Sequence, residues 1–422
     1  MDELRDTIEA IFRRESGRII ASLIRVSHSF DLAEEAMQDA FAAALVHWET
    51  EALPDNPSAW ITATAQRKLI DYARREQTRR TKNDQLKYEI HASYNPDLES
   101  GMTCSSEDDR LRLIFTCCHP ALNKEAQIAL TLRTLGGLTT PEIARAFLVA
   151  EATLAQRLVR AQRKIQQARI PYQIPPAHAL PERLGAVQAV LYLIFNEGYV
   201  ASTGGNLLRR ELCTEAIRLT RTLCELMPAA PENLGLLALM LLHDSRRDTR
   251  VSTNGELVPL EEQDRTLWNQ VQITEGLQLV PQALRLREIG PYQLQAAIAA
   301  LHAEAKTAAD TDWKQIAALY RELARLHPSA TVRLNHAVAI AMSEGPDQGL
   351  LHLDAIAASG ALDPYYLYHA ARADLLRRLS RKEEATAAYR IALSLTANAV
   401  ERRYLRRRIA ELAGASIDPP PL

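Results

Sequence analysis

Apolar residues recur at three- and four-residue spacing along almost the whole of this 422-residue chain. No block of it alternates with the period of two that a half-buried strand needs. That pattern restricts the chain to helices packed on helices. Leu, Ala, Arg and Glu are abundant and Gly and the aromatics sparse, which also favours helix. The expected fold class is all-α. At about 150 residues per domain, the length implies roughly three domains.

Breaks in the periodicity suggest where those domains lie. Residues 1–80 form a first helical unit. The polar, irregular residues 81–108 read as a flexible linker, and 109–170 as a compact second unit. The proline-rich stretch "RIPYQIPPAHALPERL" marks the next boundary. Residues 181–285 are expected to form a helical adaptor domain, interrupted by the excursion "RRDTRVSTNGELVPLEEQD" with its Asn254-Gly255 turn signal. Residues 286–415 contain a degenerate repeat. His336-Ala337 returns as His369-Ala370, 33 positions later, and Tyr320 returns as Tyr389, 69 positions later. A period near 34 points to tetratricopeptide-like helix pairs, with an ordinary helical bundle as the alternative.

The formal net charge is only −2, so the chain as a whole is not a polyanion binder, and charge must be read by segment. The N-terminus is charged and lacks the apolar centre of a signal peptide. No uncharged apolar run approaches the roughly 18 residues of a membrane span. A soluble, reducing, cytoplasmic protein with no membrane partner is expected. The five cysteines, Cys104, Cys117, Cys118, Cys213 and Cys224, form no CxxC pair. Cys117, Cys118 and His119 in "FTCCHPAL" read better as core packing at a helix end than as a metal or redox site, because adjacent cysteines chelate one ion poorly. No metal or cofactor is expected.

Charge concentrates in two basic helical segments. In "NPSAWITATAQRKLIDYARREQTRR", residues 56–80, Asn56-Pro57-Ser58 is a helix start. From Gln66 to Lys82 the basic residues Arg67, Lys68, Arg74, Arg75, Arg79, Arg80 and Lys82 face only Asp71 and Glu76. Such a face attracts phosphates, and Trp60 and Tyr72 offer rings to an exposed base. The alternative is a solvated basic helix with Trp60 in the core. The preceding segment "FDLAEEAMQDAFAAALVHW" has the opposite sign, with Asp31, Glu34, Glu35, Gln38 and Asp39 clustered on one side. That suggests a protein-docking surface beside a nucleic-acid surface.

The second basic segment, "LTTPEIARAFLVAEATLAQRLVRAQRKIQQAR", reads as helix, short turn, helix. Thr140-Pro141-Glu142 opens the first helix, with Ile143, Ala144 and Phe147 inward. In the second, Leu154, Leu158 and Ile165 face inward. Glu151, Thr153, Gln156, Arg157, Arg160, Arg163 and Lys164 form the outer, DNA-facing set. A recognition helix enters the major groove N-terminus first. Arg157 then suits guanine and Gln156 adenine, while Arg160, Arg163 and Lys164 suit phosphates. A plain helical hairpin is the alternative.

Taken in order, these motifs resemble a bacterial RNA polymerase sigma factor of the extracytoplasmic-function, sigma-70-like group. "DLAEEAMQDAF" looks like that family's core-polymerase-binding helix. "NPSAWITATAQRKLIDYARRE" looks like its promoter −10 segment, and "LTTPEIARAFLVAEATLAQRLVRAQRKI" like its −35 helix-turn-helix. The resemblance covers about residues 1–170. It implies that Asp31, Glu34, Glu35, Gln38 and Asp39 contact the polymerase. It places Trp60, Gln66, Arg67, Lys68, Asp71, Arg74 and Arg75 in the −10 segment. One departure is Arg67, where the family commonly has Asn. The remainder resembles a subgroup with a long tetratricopeptide-like extension, in which "YLIFNEGY" and "GPYQLQAAIAALHAEA" recur. The partners so implied are core RNA polymerase, promoter DNA and a protein or small-molecule ligand of the extension.

In "VLYLIFNEGYVASTGG", Asn196, Glu197 and Tyr199 break an apolar helix, and His243-Asp244 follows another apolar helix of the same domain. Together they suit acid-base work or a polar network at a helix junction that binds a regulatory ligand. No nucleophile, phosphate loop or metal spacing accompanies them, so a network is favoured, with His243, an arginine such as Arg209 or Arg210, or a bound ligand as the partner for Glu197. The expected function is non-enzymatic promoter-specific transcription initiation. The rivals are a stand-alone helix-turn-helix regulator with a ligand-sensing domain, an enzyme in residues 180–290, and a scaffold.

Overall fold

The computed structural model of the chain describes residues 2–27, 29–51, 53–84, 107–147, 149–199, 210–252, 254–357, 362–396 and 398–413. Among them are eighteen α-helices and no strand; the one β feature is an isolated antiparallel bridge between Val251 and Leu257. The chain divides into two units, Met1–Leu193 and Ile194–Leu422.

The first unit opens with three mutually packed helices, α1 (Asp2–Ser27), α2 (Phe30–Thr50) and α3 (Pro57–Asp84). Ser29 starts α2 by accepting a hydrogen bond from the Leu32 amide. Ala33, Ala36, Met37, Ala40, Phe41, Ala44 and Trp48 then form a buried stripe at helical spacing. Its alanines let neighbouring helices come close, while Phe41 and Trp48 supply apolar area worth about 1.5–3 kcal/mol per large side chain. Ile61, Ala65 and Leu69 answer from α3. That helix runs four residues beyond Arg80, into the segment expected to be linker. Residues 85–106, the rest of the expected linker, lie outside the described residues.

Four shorter helices follow: α4 (Glu107–Cys117), α5 (Lys124–Thr134), α6 (Thr140–Ala146) and α7 (Glu151–Gln167). Asn123 caps α5. Thr139 and Glu142 form a capping box on α6, with the Thr139 amide donating to Glu142 Oε2 at 2.7 Å. These helices and α1 belong together. Arg25 pairs with buried Asp109 at 2.9 Å, and Gly17 faces the Leu135 backbone so closely that a Cβ would lie 3.0 Å from its carbonyl oxygen. The Tyr172 hydroxyl reaches the carbonyls of Ala21 and Asp109 at 2.8 and 3.0 Å. The Arg183 guanidinium donates to the Phe115 carbonyl. Residues beyond 170 therefore help to hold this unit.

Helix α8 (Leu180–Tyr199) crosses the division between the units. In the second unit α9 (Arg210–Leu226), α11 (Gln270–Arg285) and α12 (Pro291–Glu304) pack around α10 (Pro231–Asp244), which is buried along nearly its whole length. Gly235 lets α10 approach α12; a Cβ there would meet the Gln293 nitrogen at 2.7 Å. The Glu232 carboxylate accepts from the Tyr292 and Gln293 amides at 2.9 and 3.0 Å, capping α12 across the interface. This gives "GPYQ" a packing role. Between α10 and α11, Gly255 takes the turn at φ +73°.

Six helices complete the unit: α13 (Trp313–Leu326), α14 (Ala330–Glu344), α15 (Pro346–Ala357), α16 (Tyr366–Arg378), α17 (Lys382–Leu395) and α18 (Ala399–Leu412). Each packs on the next. Helices α13, α15 and α17 start at Trp313, Pro346 and Lys382, 33 and 36 residues apart, so three hairpins follow at nearly constant spacing. The matched tyrosines are not equivalent in burial: Tyr389 is fully buried and Tyr320 half-buried.

Candidate nucleic-acid interface and a cation cluster

Helix α7 has two faces. Leu154, Leu158, Ala161 and Ile165 are buried at i, i+4, i+7 and i+11, against α5 and α6. Glu151, Thr153, Gln156, Arg160, Arg163 and Lys164 are exposed. Ala150 occupies the N-cap and supplies no side-chain acceptor, so none competes with a phosphate at the first amides. Arg157 is held differently from its neighbours: its guanidinium pairs with Glu125 of α5 at 2.9 Å.

On α3, Arg67, Asp71 and Arg74 are exposed at i, i+4 and i+7, one continuous strip, and Gln66 is half-buried. The side chain of Arg75, like those of Arg79, Arg80 and Lys82, lies outside the described residues. Trp60 is half-buried in a ring cluster, stacked on His47 at 5.3 Å and tilted against Trp48 at 5.4 Å. Its ring thus has packing partners before any base arrives. The Tyr72 hydroxyl donates to Asp39 at 2.5 Å, and Lys68 lies 3.9 Å from the same carboxylate.

The acidic set of α2 splits into two. Asp31, Glu35 and Gln38 are exposed. Asp39 is engaged by Tyr72 and Lys68, and Glu34 turns toward the second half of its unit. There it accepts from Arg133 Nε at 2.7 Å and Gln162 Nε2 at 3.2 Å. A helical wheel places all five together; contacts from distant sequence separate them.

Cys117 and Cys118 are fully buried against the hydroxyls of Thr134 and Thr131, and burial pushes the Cys118 thiol up to about 11. They are core residues. Among the described residues, no group of three or more His, Cys, Asp or Glu side chains is placed to hold a metal ion.

In the second unit, Tyr199 ends α8 and is 9% exposed. Its ring stacks on Phe195 at 5.6 Å and meets the edge of His243 at 5.3 Å. The Arg250 guanidinium lies 3.7 Å from the ring centroid and donates to the Tyr199 carbonyl. Arg246, 5.9 Å from the same ring, donates to His243 Nδ1 at 3.0 Å, which leaves the imidazole proton on Nε2. Burial and the nearby Arg246, Arg250 and His302 hold His243 well below the ordinary imidazole range. Burial, Arg246 and Arg265 lower His302 to about 3. Asp244 points away to Gln272, at 2.7 Å, and Arg247. Asn196 and Glu197, three and two residues before Tyr199, are half-buried. Of the partners considered for Glu197, Arg210 pairs with Asp248, and Arg209 lies outside the described residues.

Sequence reading named Tyr199 and His243 but passed over Arg246, Arg250, Arg265 and His302. A signal was present in the spacing, His243, Arg246 and Arg250 at i, i+3 and i+7, although α10 ends at Asp244 and both arginines stand in the turns beyond it.

A three-helix unit followed by a capped helix-turn-helix with a one-sided basic second helix defines the DNA-recognition core of a sigma-type initiation factor. The chain matches Sigma-70 region 2 over residues 11–79 and Sigma-70, region 4 over residues 112–165. Residues 183–284 match a family of unknown function, DUF6596. An uncharacterized protein of Rhizobium meliloti (strain 1021) is 44% identical over 399 residues, covering 93% of both chains. The chain belongs to the extracytoplasmic-function-like sigma factors that carry a C-terminal extension. No helix among the described residues is long and apolar enough to cross a membrane.

Proposed function

We propose that this chain binds core RNA polymerase through α2, opens and reads the −10 element with α3, and docks α7 on the −35 element, working in the cytoplasm. The observation that carries this reading is the two-faced α7, whose exposed Arg160, Arg163 and Lys164 stand on a buried apolar stripe. Exposed cations suit phosphates because the protein spends nothing on burying them, and they gain by counterion release. The N-terminal and C-terminal halves of α7 then serve different ends, base edges near Gln156 and phosphates near Arg163. The role is binding rather than turnover. The residues after 193 act as a regulatory or partner-binding module, with a helical adaptor and tetratricopeptide-like hairpins.

Promoter-dependent transcription by purified full-length chain and core polymerase tests this. No promoter-dependent transcript overturns it. Tight specific promoter binding without polymerase favours a stand-alone regulator instead. To test the extension, the chain is best cut after Leu193. A cut near Arg169 would remove Tyr172 and Arg183, which hold backbone carbonyls of the first unit. Loss of transcription in the shortened chain, with helicity retained, supports a required extension, and unchanged transcription counts against it.

A further inference from the structure

Arg246, Arg250 and Arg265 gather beside His243 and His302 in the second unit, and Arg246 is the common neighbour of the other four. Among the described residues, none of the three guanidiniums has a carboxylate within ion-pair distance. Arg250 spends its hydrogen bond on the Tyr199 carbonyl, and Arg265 spends its own on the carbonyls of His302 and Ala305 and on Thr311. The attractions they do have act at longer range. Glu401, already held by Tyr366 and Thr396, serves Arg250, and Asp310 serves Arg265. Partly buried cations of one sign are unfavourable together without a counter-charge.

Among the described residues, three polar atoms of the same cluster are buried with no hydrogen-bond partner: Tyr199 Oη, Arg246 Nε and His302 Nδ1. Buried polar groups are nearly always paired, and an exception calls for a missing ion or ligand. Arg246 Nε–H and Tyr199 O–H are donors, and His302 Nδ1 becomes one in the matching tautomer. They come from three elements, the end of α8, the turn after α10, and α12. Tyr199 is more than nine-tenths buried, while His243, Arg246 and His302 each keep some exposed surface, which gives a ligand a way in.

We propose that Tyr199, Arg246, Arg250 and His302 form a binding site for a compact phosphate-type oxyanion. The missing counter-charge and the three unpaired donors are satisfied by one dianion with oxygens in several directions. A planar carboxylate offers only two oxygens in one plane. The phosphate end of a small metabolite, or phosphate itself, has the chemistry this cluster selects. The inference concerns the extension alone, so its failure leaves the promoter reading where it stands.

The test is isothermal titration and thermal unfolding of the full-length chain in phosphate-free buffer. Inorganic phosphate is the probe, with succinate and chloride compared at matched ionic strength. Phosphate is expected to bind one per chain and to raise the melting temperature. Tyr199→Phe keeps the ring packing and deletes only the unpaired hydroxyl, and is expected to weaken phosphate by about tenfold. Arg246→Met is expected to abolish binding, and surface Arg325→Ala to leave it unchanged. No saturable binding, equal binding by Tyr199→Phe, or succinate binding as tightly as phosphate overturns the proposal.

Discussion

Helix α7 and the Arg246 cluster both concentrate positive charge, but they place it differently. On α7 the cations are exposed and the apolar residues alone make the fold, so charge costs stability almost nothing and is available to any polyanion. In the second unit the cations crowd a tyrosine that is 9% exposed, beside two histidines held neutral by burial. There the fold bears the desolvation, which the proposed oxyanion would offset. Depth of burial therefore separates the proposed phosphate-backbone surface from the proposed ligand site more sharply than the amount of charge does.

The most direct way to break this comparison is to reverse the exposed charge. Arg160→Glu with Arg163→Glu should reduce promoter binding by the polymerase complex about 100-fold or more at low salt, with the melting temperature nearly unchanged. The milder double alanine variant should lower the salt slope of binding by about two, one per lost phosphate contact. Fluorescence anisotropy against salt concentration measures both. A large fall in stability instead would mean that these arginines are structural.

Acid should separate the two regions in the opposite direction. His302 titrates near 3 in the fold against an ordinary 6.5, so between those values the unfolded chain binds a proton that the folded chain refuses. Its contribution to stability is complete above about pH 6.5 and falls as pH drops toward 3. The fall is at most about 1.4 kcal/mol per pH unit, and less to the extent that solvent screens the partly exposed ring. His243, lowered for the same reasons, adds a slope of the same sign. Urea midpoints at pH 7 and pH 5 should therefore fall further for the wild type than for His302→Phe. An equal fall in both would remove His302 as the cause. The arginines of α7 stay charged throughout and contribute no such slope.

A smaller effect is expected inside the first unit. Glu34→Ala removes a carboxylate that accepts from Arg133 and Gln162, leaving both donors half-buried without it. The expected loss is about 1–2 kcal/mol of unfolding free energy, read by chemical denaturation. If Glu34 also docks on the polymerase, Glu34→Gln should restore part of the stability but not the polymerase affinity. Recovery of both would assign Glu34 to packing alone.

The all-α class was legible because periodicity is local: Leu154, Leu158 and Ile165 need only their own helix to reveal the buried face. The capping of α6 by Thr139 and Glu142 was equally local. What sequence could not supply were contacts from far along the chain. Glu34 meets Arg133 and Gln162 about a hundred residues later, Tyr72 meets Asp39, and Trp60 meets His47 and Trp48. Tyr199 and His243 could be suspected of meeting because both end apolar helices. The arginines around them escaped notice because an arginine is ordinarily a surface residue, and only tertiary packing reveals one beneath a ring.

The smallest expected effect tests the one α7 residue that does not fit its own region. Arg157 is 27% exposed and paired with Glu125, itself 67% exposed, so the pair is open to water from the Glu125 side. Solvent and salt screen it, and its contribution to stability should be under about 1 kcal/mol. Glu125→Gln should therefore leave the melting temperature nearly constant. It should also release the guanidinium that must otherwise leave Glu125 before it reads a base. Promoter affinity of the polymerase complex is expected to rise by about two- to threefold at low salt, with the gain fading as salt rises. A fall in affinity would mean that Glu125 positions Arg157 for recognition, and the boundary between exposed and structural cations would then run through α7 itself.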